Sequence, residues 1–432
     1  MLSRQSAERG GLLQVSSDPL NLAVLRLAVF ASLVWLGWRA DVAGIATLPA
    51  DLRVAPAGYG WCLASIPFDY ATLNTARWLL IAASLAAMLG WRTRIAASLA
   101  CLSAIYVLGV PHFFGKVNHH NHHFVWFAAL LAVAPSADAL SLDAWRRGPH
   151  RQLNTGDYRL ALWIVWLSIG CIYFFPGLAK LEHGTAWMTS DNIRHLLHEF
   201  WSRKQFLPAL RLDHSPLLCA TAGVLTVSFE AAFLPALFVP RLRPVLVAAG
   251  LGFHAANAYF LRIFFVGLAL CYVSFIDWAR LLARLGLRPQ SLAPSAPRHS
   301  APVLAVGALL LTANVAAGVF GIDSWPFSVY PRFATLWPPV RTEIEAEVLA
   351  NDGSTRPVRI PLHPQAARAL LALPSGAERE RRLEALQTSL LQQTARLQPG
   401  ERLRLWRVRR STAPELWQAP PLSRELFGEV GG

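Results

Sequence analysis

Lysine is nearly missing from this chain. Of forty basic residues only three are lysine, Lys116, Lys180 and Lys204, and the rest are arginine. A guanidinium keeps its proton near neutral pH, whereas a desolvated ammonium can lose it, so chemistry that needs a basic or nucleophilic lysine has three candidates. Cysteine is sparse too. Cys62, Cys101, Cys171, Cys219 and Cys271 are isolated, odd in number and without CxxC spacing. That excludes a secreted disulfide framework and leaves core packing. Charged residues make up only 15% of the chain, and its arginines lie mostly in ones and twos between apolar runs. The formal charge of +14 therefore does not form the basic stripe of a nucleic-acid binder. The opening stretch MLSRQSAERGGLLQVSSDP has no apolar core and no small-residue cleavage site, so the first membrane helix is expected to direct insertion itself.

What the chain does have is apolar length. Hydrophobic residues reach 54%, with sixteen tryptophans suited to interfacial belts, which places it among polytopic membrane proteins. Leu160 to Ala179 is a run of twenty residues without a charge, closed by Arg159 and Lys180. At about 1.5 Å per residue it spans about 30 Å, the hydrocarbon thickness of a bilayer. Similar runs cover 20–38, 75–90, 95–110, 124–134, 216–239, 244–261, 263–278 and 301–321. The expected fold is an all-α membrane protein of about nine transmembrane helices, with a small α+β soluble C-terminal domain. Its expected divisions are a cytoplasmic N-terminus over 1–19, the main transmembrane domain over 20–280, a linker and last helix over 281–321, and an extracytoplasmic tail over 322–432.

In the tail, WPFSVYPRFATLWPP is expected to pack on the membrane surface. Arg341 to Leu349 alternates as a strand does, 364–398 reads as two helices, and Arg402 to Arg410 reads as a final strand. Arginine is richer in the connections on one side of the nine-helix topology and sparser in those on the other, a bias that puts the N-terminus inside and the C-terminus outside. The Arg-heavy, Lys-poor usage resembles a bacterial chain from a GC-rich genome, hence an inner-membrane location.

Polar residues inside such a chain are costly, so each asks for a reason. Lys180 follows Pro176 and Gly177, where backbone hydrogen bonds are loosened. It either snorkels to the headgroups or serves as a base. Asn118-His119-His120-Asn121-His122-His123 places two Asn-His pairs three residues apart, on one face of a helical turn. A solvated loop, a proton-handling or substrate-binding site and a metal site all remain open, although no cysteine or nearby carboxylate completes a metal set. Glu230, and His254 with Asn257 three residues on, fit a hydrogen-bond network as well as they fit catalysis. Arg26, within the first helix, either meets a partner or polar cavity or snorkels. On the expected topology the His-rich loop and the end of helix five share the outer face, where one pocket could hold them.

The Asn-His pairs, Ser141-Leu142-Asp143, Tyr173-Phe174-Phe175-Pro176-Gly177-Leu178-Ala179-Lys180-Leu181 with Trp187, Phe229-Glu230 and Phe253-His254-Ala255-Ala256-Asn257 occur in this order. Together they resemble the vitamin K-dependent γ-carboxylase family and its bacterial HTTM (horizontally transferred transmembrane) domain relatives, over roughly residues 17 to 280. The resemblance implies a membrane enzyme that couples oxygenation of a reduced naphthoquinone, phylloquinone or menaquinone hydroquinone, to carboxylation of glutamyl side chains. O2 and CO2 are the co-substrates, and a protein or peptide is the partner. It implies Lys180, His119 and His122 as catalytic residues, with the register of the Asn-His pair open. Asn118, Asn121, Trp187, Glu230, His254 and Asn257 are then the quinone- or substrate-binding residues, with no metal. The C-terminal region is much shorter than the lumenal portion of the animal carboxylases. A non-catalytic quinone- or lipid-binding protein, or a transporter-like scaffold, is the competing expectation.

Overall fold

A computed structural model describes residues 18–48, 53–114, 117–148, 155–189, 191–287, 300–329, 333–358 and 400–431, with a few isolated positions besides. The long helices are α1 Pro19–Arg39, α2 Tyr70–Leu89, α3 Thr93–Gly109, α4 His122–Val133, α5 Thr155–Leu181, α6 Asn192–Lys204, α7 Pro216–Ala236 and α8 Arg243–Leu261. Two short helices follow, α9 Val266–Cys271 and α10 Trp278–Arg284, and then α11 Ala301–Val319. Local chemistry sets the starts. The side chains of Asp18 and Asp69 accept the backbone N–H of Leu20 and Thr72, each at 2.8 Å, as helix caps should. Asp143 caps α3 from fifty residues away, accepting Arg92 N at 3.0 Å and Thr93 N and Oγ1 at 2.8 Å. The Ser-Leu-Asp motif thus has a structural task, joining the turn before α3 to the segment after α4.

Among the described residues seven helices are long and apolar enough to cross a membrane, and an eighth span results if a bent pair counts as one. Seven of the nine expected segments are therefore matched, and the other two differ for physical reasons. Of the expected span over 263–278 the helical part is Val266–Phe275, which meets the next helix, Trp278–Arg284, at 69°. Asp277 there caps α10 through Arg280 N. The expected span over 124–134 is α4, only 12 residues long, or about 18 Å. It is apolar all round because it is buried, with Phe124, Trp126, Phe127, Leu130 and Leu131 at the centre of the main core. The helices α1, α3, α5 and α11 pack around it.

Helix α5 approaches α7 closely through glycine. A Cβ on Gly177 would lie 2.7 Å from the backbone nitrogen of Ala231 and 2.9 Å from Glu230 Cβ. Only a bare backbone fits that crossing, and it sets the next turn of α5, Lys180, against Glu230.

The aromatic segment after α11 enters the bundle rather than lying on the membrane surface. Trp325 is 3% exposed, donates to Ile105 O at 2.9 Å and stacks on His112, while Phe327 stacks on Trp126. The indole needs a carbonyl, and the end of α3 offers one. The tail ends in a four-stranded antiparallel sheet of order β2-β1-β3-β4, with β1 Val340–Leu349, β2 Thr355–Val358, β3 Arg402–Ser411 and β4 Ser423–Gly431. The two expected strands are β1 and β3, but β3 is not the last. The two helices expected over 364–398, with Lys116 and most of 1–19, lie outside the described residues. One face of the sheet, through Ala346, Val348, Leu403, Leu405 and Phe427, packs on Val42, Ile45, Leu73, Val110 and Phe113 at the ends of the helices.

Candidate functional site

Lys180 is 1% exposed and does not reach toward headgroups; its Nζ donates to Glu230 Oε2 at 2.5 Å. The ring of the buried Trp187 lies 5.1 Å from that nitrogen. Trp187 Nε1 has no hydrogen-bond partner among the described residues. Two opposite charges this close inside a low-dielectric core form a net-neutral unit, which is how a buried amine and carboxylate are tolerated together. Glu230, expected to bind the quinone, thus has the amine as its direct partner.

Seven residues before Lys180, and so on the same face of α5, Tyr173 carries the second group. Its hydroxyl is 2.7 Å from His254 Nε2 and 3.0 Å from the hydroxyl of Tyr272. Phe229, the neighbour of Glu230, packs on the Tyr173 ring at 5.1 Å. Asn257 is turned to local work instead, its Nδ2 donating to Phe253 O at 2.9 Å.

The Asn-His segment makes the third group. His119 to Asn121 form a single tight turn and α4 begins at His122, so the three-residue spacing sorts the side chains by type. Asn118 and Asn121 line a cavity of about 750 Å³. His119 and His122 turn the other way, their rings 5.6 Å apart, into a cluster with His112, Trp325 and Asp323. His119 Nε2 sits 2.7 Å from Asp323 Oδ1, and His112 Nδ1 accepts Asn118 N at 2.8 Å. Burial raises the Asp323 carboxyl, but the His119 contact together with Ser328 and His112 outweighs it and leaves it below its ordinary value. His112 and Asp323 were missed in the sequence because their partners are distant. Only the imidazole of His112, at the end of an apolar run, was a visible signal.

The cavity lies between the second half of α1, the end of α3, the Asn-His turn and Phe264–Leu270. Asn118, His120, Asn121 and His112 give it polar atoms, and Leu36, Phe124 and Phe265 give it apolar walls. Its rim residues Trp35, Phe264 and Val266 are exposed apolar side chains, as an opening toward lipid requires. Lys180, Glu230, Trp187, His254, His119 and His122 are not among its lining residues. The three groups are neighbours, not one pocket.

A fourth polar cluster lies outside the spans. Arg211 clamps the buried Asp213 with two bonds of 2.7 and 2.6 Å, and His198 Nε2 is 3.0 Å away. Asp213, His214 and Glu415 bring donor atoms within 4.8 Å of one another, but the Arg211 guanidinium already meets both carboxylates where a cation would sit. Burial pushes the Asp213 carboxyl up, while Arg211 and His198 together hold it down to about 2. A carboxyl lower in the folded chain than its ordinary 3.8 contributes its stability in full above about pH 4 and loses it as pH falls toward 2. Asp213→Asn should therefore be less stable than the wild type near neutral pH, with the difference shrinking across that acid window. Urea midpoints of both proteins against pH check this.

No curated protein and no solved structure matches the chain. The HTTM domain family matches residues 17–277, more than half of the chain and all of α1 to α9 with Lys180, Glu230, Tyr173, His254 and the Asn-His segment. The chain therefore belongs to the HTTM family of multi-pass membrane proteins.

Proposed function

We propose that this protein is a membrane enzyme of the vitamin K-dependent carboxylase type, acting on a reduced naphthoquinone, O2, CO2 and a glutamyl side chain. The observation that carries the reading is a buried Lys180–Glu230 pair in a chain whose forty basic residues include only three lysines. The HTTM domain is found in membrane proteins related to those carboxylases, which points the same way.

The cavity fits the ring of such a quinone. Its volume suits a small bicyclic ring, its rim opens through apolar side chains, and its carboxamides can hold ring oxygens. When bound, the reduced quinone supplies, with O2, the strong base that removal of a γ-proton demands. The chain supplies proton handling and orientation. Asn118 and Asn121 orient the ring from the cavity wall. Nζ, which donates to Glu230 Oε2 in a dry interior, is placed to pass a proton to that carboxylate and then act as the base. Trp187 and the close α5–α7 crossing keep water from that amine. On this reading catalysis takes place at the extracytoplasmic face of a bacterial inner membrane, with the tail on the same side.

A second reading has its own support. Lys180 is paired with Glu230 and does not line the cavity, as befits a quinone- or lipid-binding protein whose ion pair is structural. The assay that decides supplies reduced quinone, O2, labelled bicarbonate and glutamyl peptides to wild type and to Lys180→Ala. Quinone epoxide and fixed label from the wild type alone are expected. Equal epoxide from both removes Lys180 as the base.

A further inference from the structure

Helix α1 gives the cavity one of its walls. Ala31, Ser32, Trp35, Leu36, Arg39 and Ala40 all line it, positions that fall on one side of a helix. From Ala31 to Arg39 that wall runs about 12 Å. With a volume of about 750 Å³, the cavity has room for a bicyclic ring and a small side chain together. Of the residues that line it, Arg39 alone carries a permanent positive charge. Arg39 is exposed and, among the described residues, makes no hydrogen bond, ion pair or ring contact. Asp41 also lines the cavity but does not pair with it. Its Oδ1 accepts the backbone N–H of Gly44 at 2.8 Å, as the cap of the short helix Val42–Ala46.

Trp35 and Trp38, close to Arg39 on α1, are exposed, as in an interfacial belt, so the cation stands where the cavity passes from lipid toward water. An uncommitted guanidinium there suits an anion, and its planar fork matches a carboxylate. The reaction proposed above asks for such a group. The γ C–H of a glutamyl side chain is a poor acid, because the electron pair left on carbon adds a second negative charge to a group that already carries one. A guanidinium bound to both carboxylate oxygens attracts the doubly charged form more than the singly charged one. It therefore lowers the barrier as well as binding the side chain.

We propose that Arg39 binds the glutamyl substrate, its guanidinium taking the side-chain carboxylate in the same cavity that holds the quinone ring. In the step it serves, the γ C–H bond breaks, its proton passes to the base of the proposed reaction, and its electron pair forms the new bond to CO2. Arg39 keeps its own proton throughout. This rests on the carboxylase reading above.

The test uses the full chain in phosphatidylcholine nanodiscs and two fluorescent probes, a short blocked peptide with one Glu and the same peptide with Gln. Anisotropy gives the two Kd values. The wild type should prefer the Glu peptide, and Arg39→Gln should lose that preference and bind it about 10–100-fold more weakly, the worth of a hydrogen bond to a charged group. Arg39→Lys should recover only part, since an ammonium lacks the fork. The unfolding midpoint of Arg39→Gln should match the wild type, because Arg39 makes no bond within the protein. Equal binding of the two peptides by the wild type, or a preference that survives Arg39→Gln, overturns the proposal. Retained phospholipid, counted by native mass spectrometry, should not differ between the two proteins; a lipid lost from Arg39→Gln makes the arginine a headgroup ligand and overturns the proposal too. Label fixed from bicarbonate judges the carboxylase reading separately. Fixation that Arg39→Gln leaves unchanged overturns the assignment of Arg39 alone, and no fixation by the wild type overturns the reading and the proposal with it.

Discussion

Lys180→Ala should cost this protein about 3–5 kcal/mol of stability, because it strands the buried Glu230 carboxylate without its counter-charge. The double variant Lys180→Met/Glu230→Leu should recover most of that loss, since replacing both members of a buried pair with apolar groups of similar size is often neutral or better. Activity should behave otherwise. If Nζ is the base, single and double variants alike lose roughly 10²–10⁴-fold in quinone-dependent turnover, the usual worth of a positioned general base. Denaturation in detergent and the epoxide assay on the same preparations separate the two roles. A double variant that is stable and also turns over like wild type would make the pair structural and favour the non-catalytic reading. A double variant no more stable than Lys180→Ala would mean the crossing at Gly177 depends on the ion pair itself.

The sequence made the long spans legible because each needs only its own residues to announce itself: apolar length and, around Leu160 to Ala179, a flanking cation at each end. Lys180 was legible for a compositional reason, being an amine in an arginine-using chain. Elements defined by their neighbours were not. Helix α4 has the composition of a span, but its 12 residues cross no bilayer and are instead surrounded by protein. Strand β4 has no clear alternation, with Gly428 in its interior and Phe427 buried between exposed Leu426 and that glycine. In the candidate site, the spacing of the Asn-His pairs gave their sorting into cavity-lining asparagines and inward histidines only once the turn was seen. Asp323 meets His119 across 204 residues, Tyr272 meets Tyr173 across 99 and Glu230 meets Lys180 across 50. Pairings of that range are set by helix packing, which one sequence does not print.

Arg26→Met is expected to lower stability by about 3–5 kcal/mol, and the reason is hydrogen bonding more than charge. Arg26 is fully buried in α1, and its guanidinium holds the turn that follows α4. Nη1 donates to Ser136 O at 2.5 Å and Ala139 O at 3.2 Å, and Nη2 to Leu140 O at 2.5 Å. Leu140 is one of few non-glycine residues with positive φ, at 47°, a conformation that persists only when its surroundings impose it. Each buried carbonyl left unmade costs about 1–3 kcal/mol. The sum is reduced because Leu140 is exposed enough for water to reach its backbone. A methionine fills the volume yet satisfies none of the three oxygens. Arg26→Lys should recover little, since one ammonium cannot span carbonyls that a planar fork bridges from two nitrogens. Unfolding midpoints of the three proteins in one detergent measure both effects. A loss under about 1 kcal/mol for Arg26→Met would mean that water enters to solvate the turn, and that the arginine is tolerated there without supporting it.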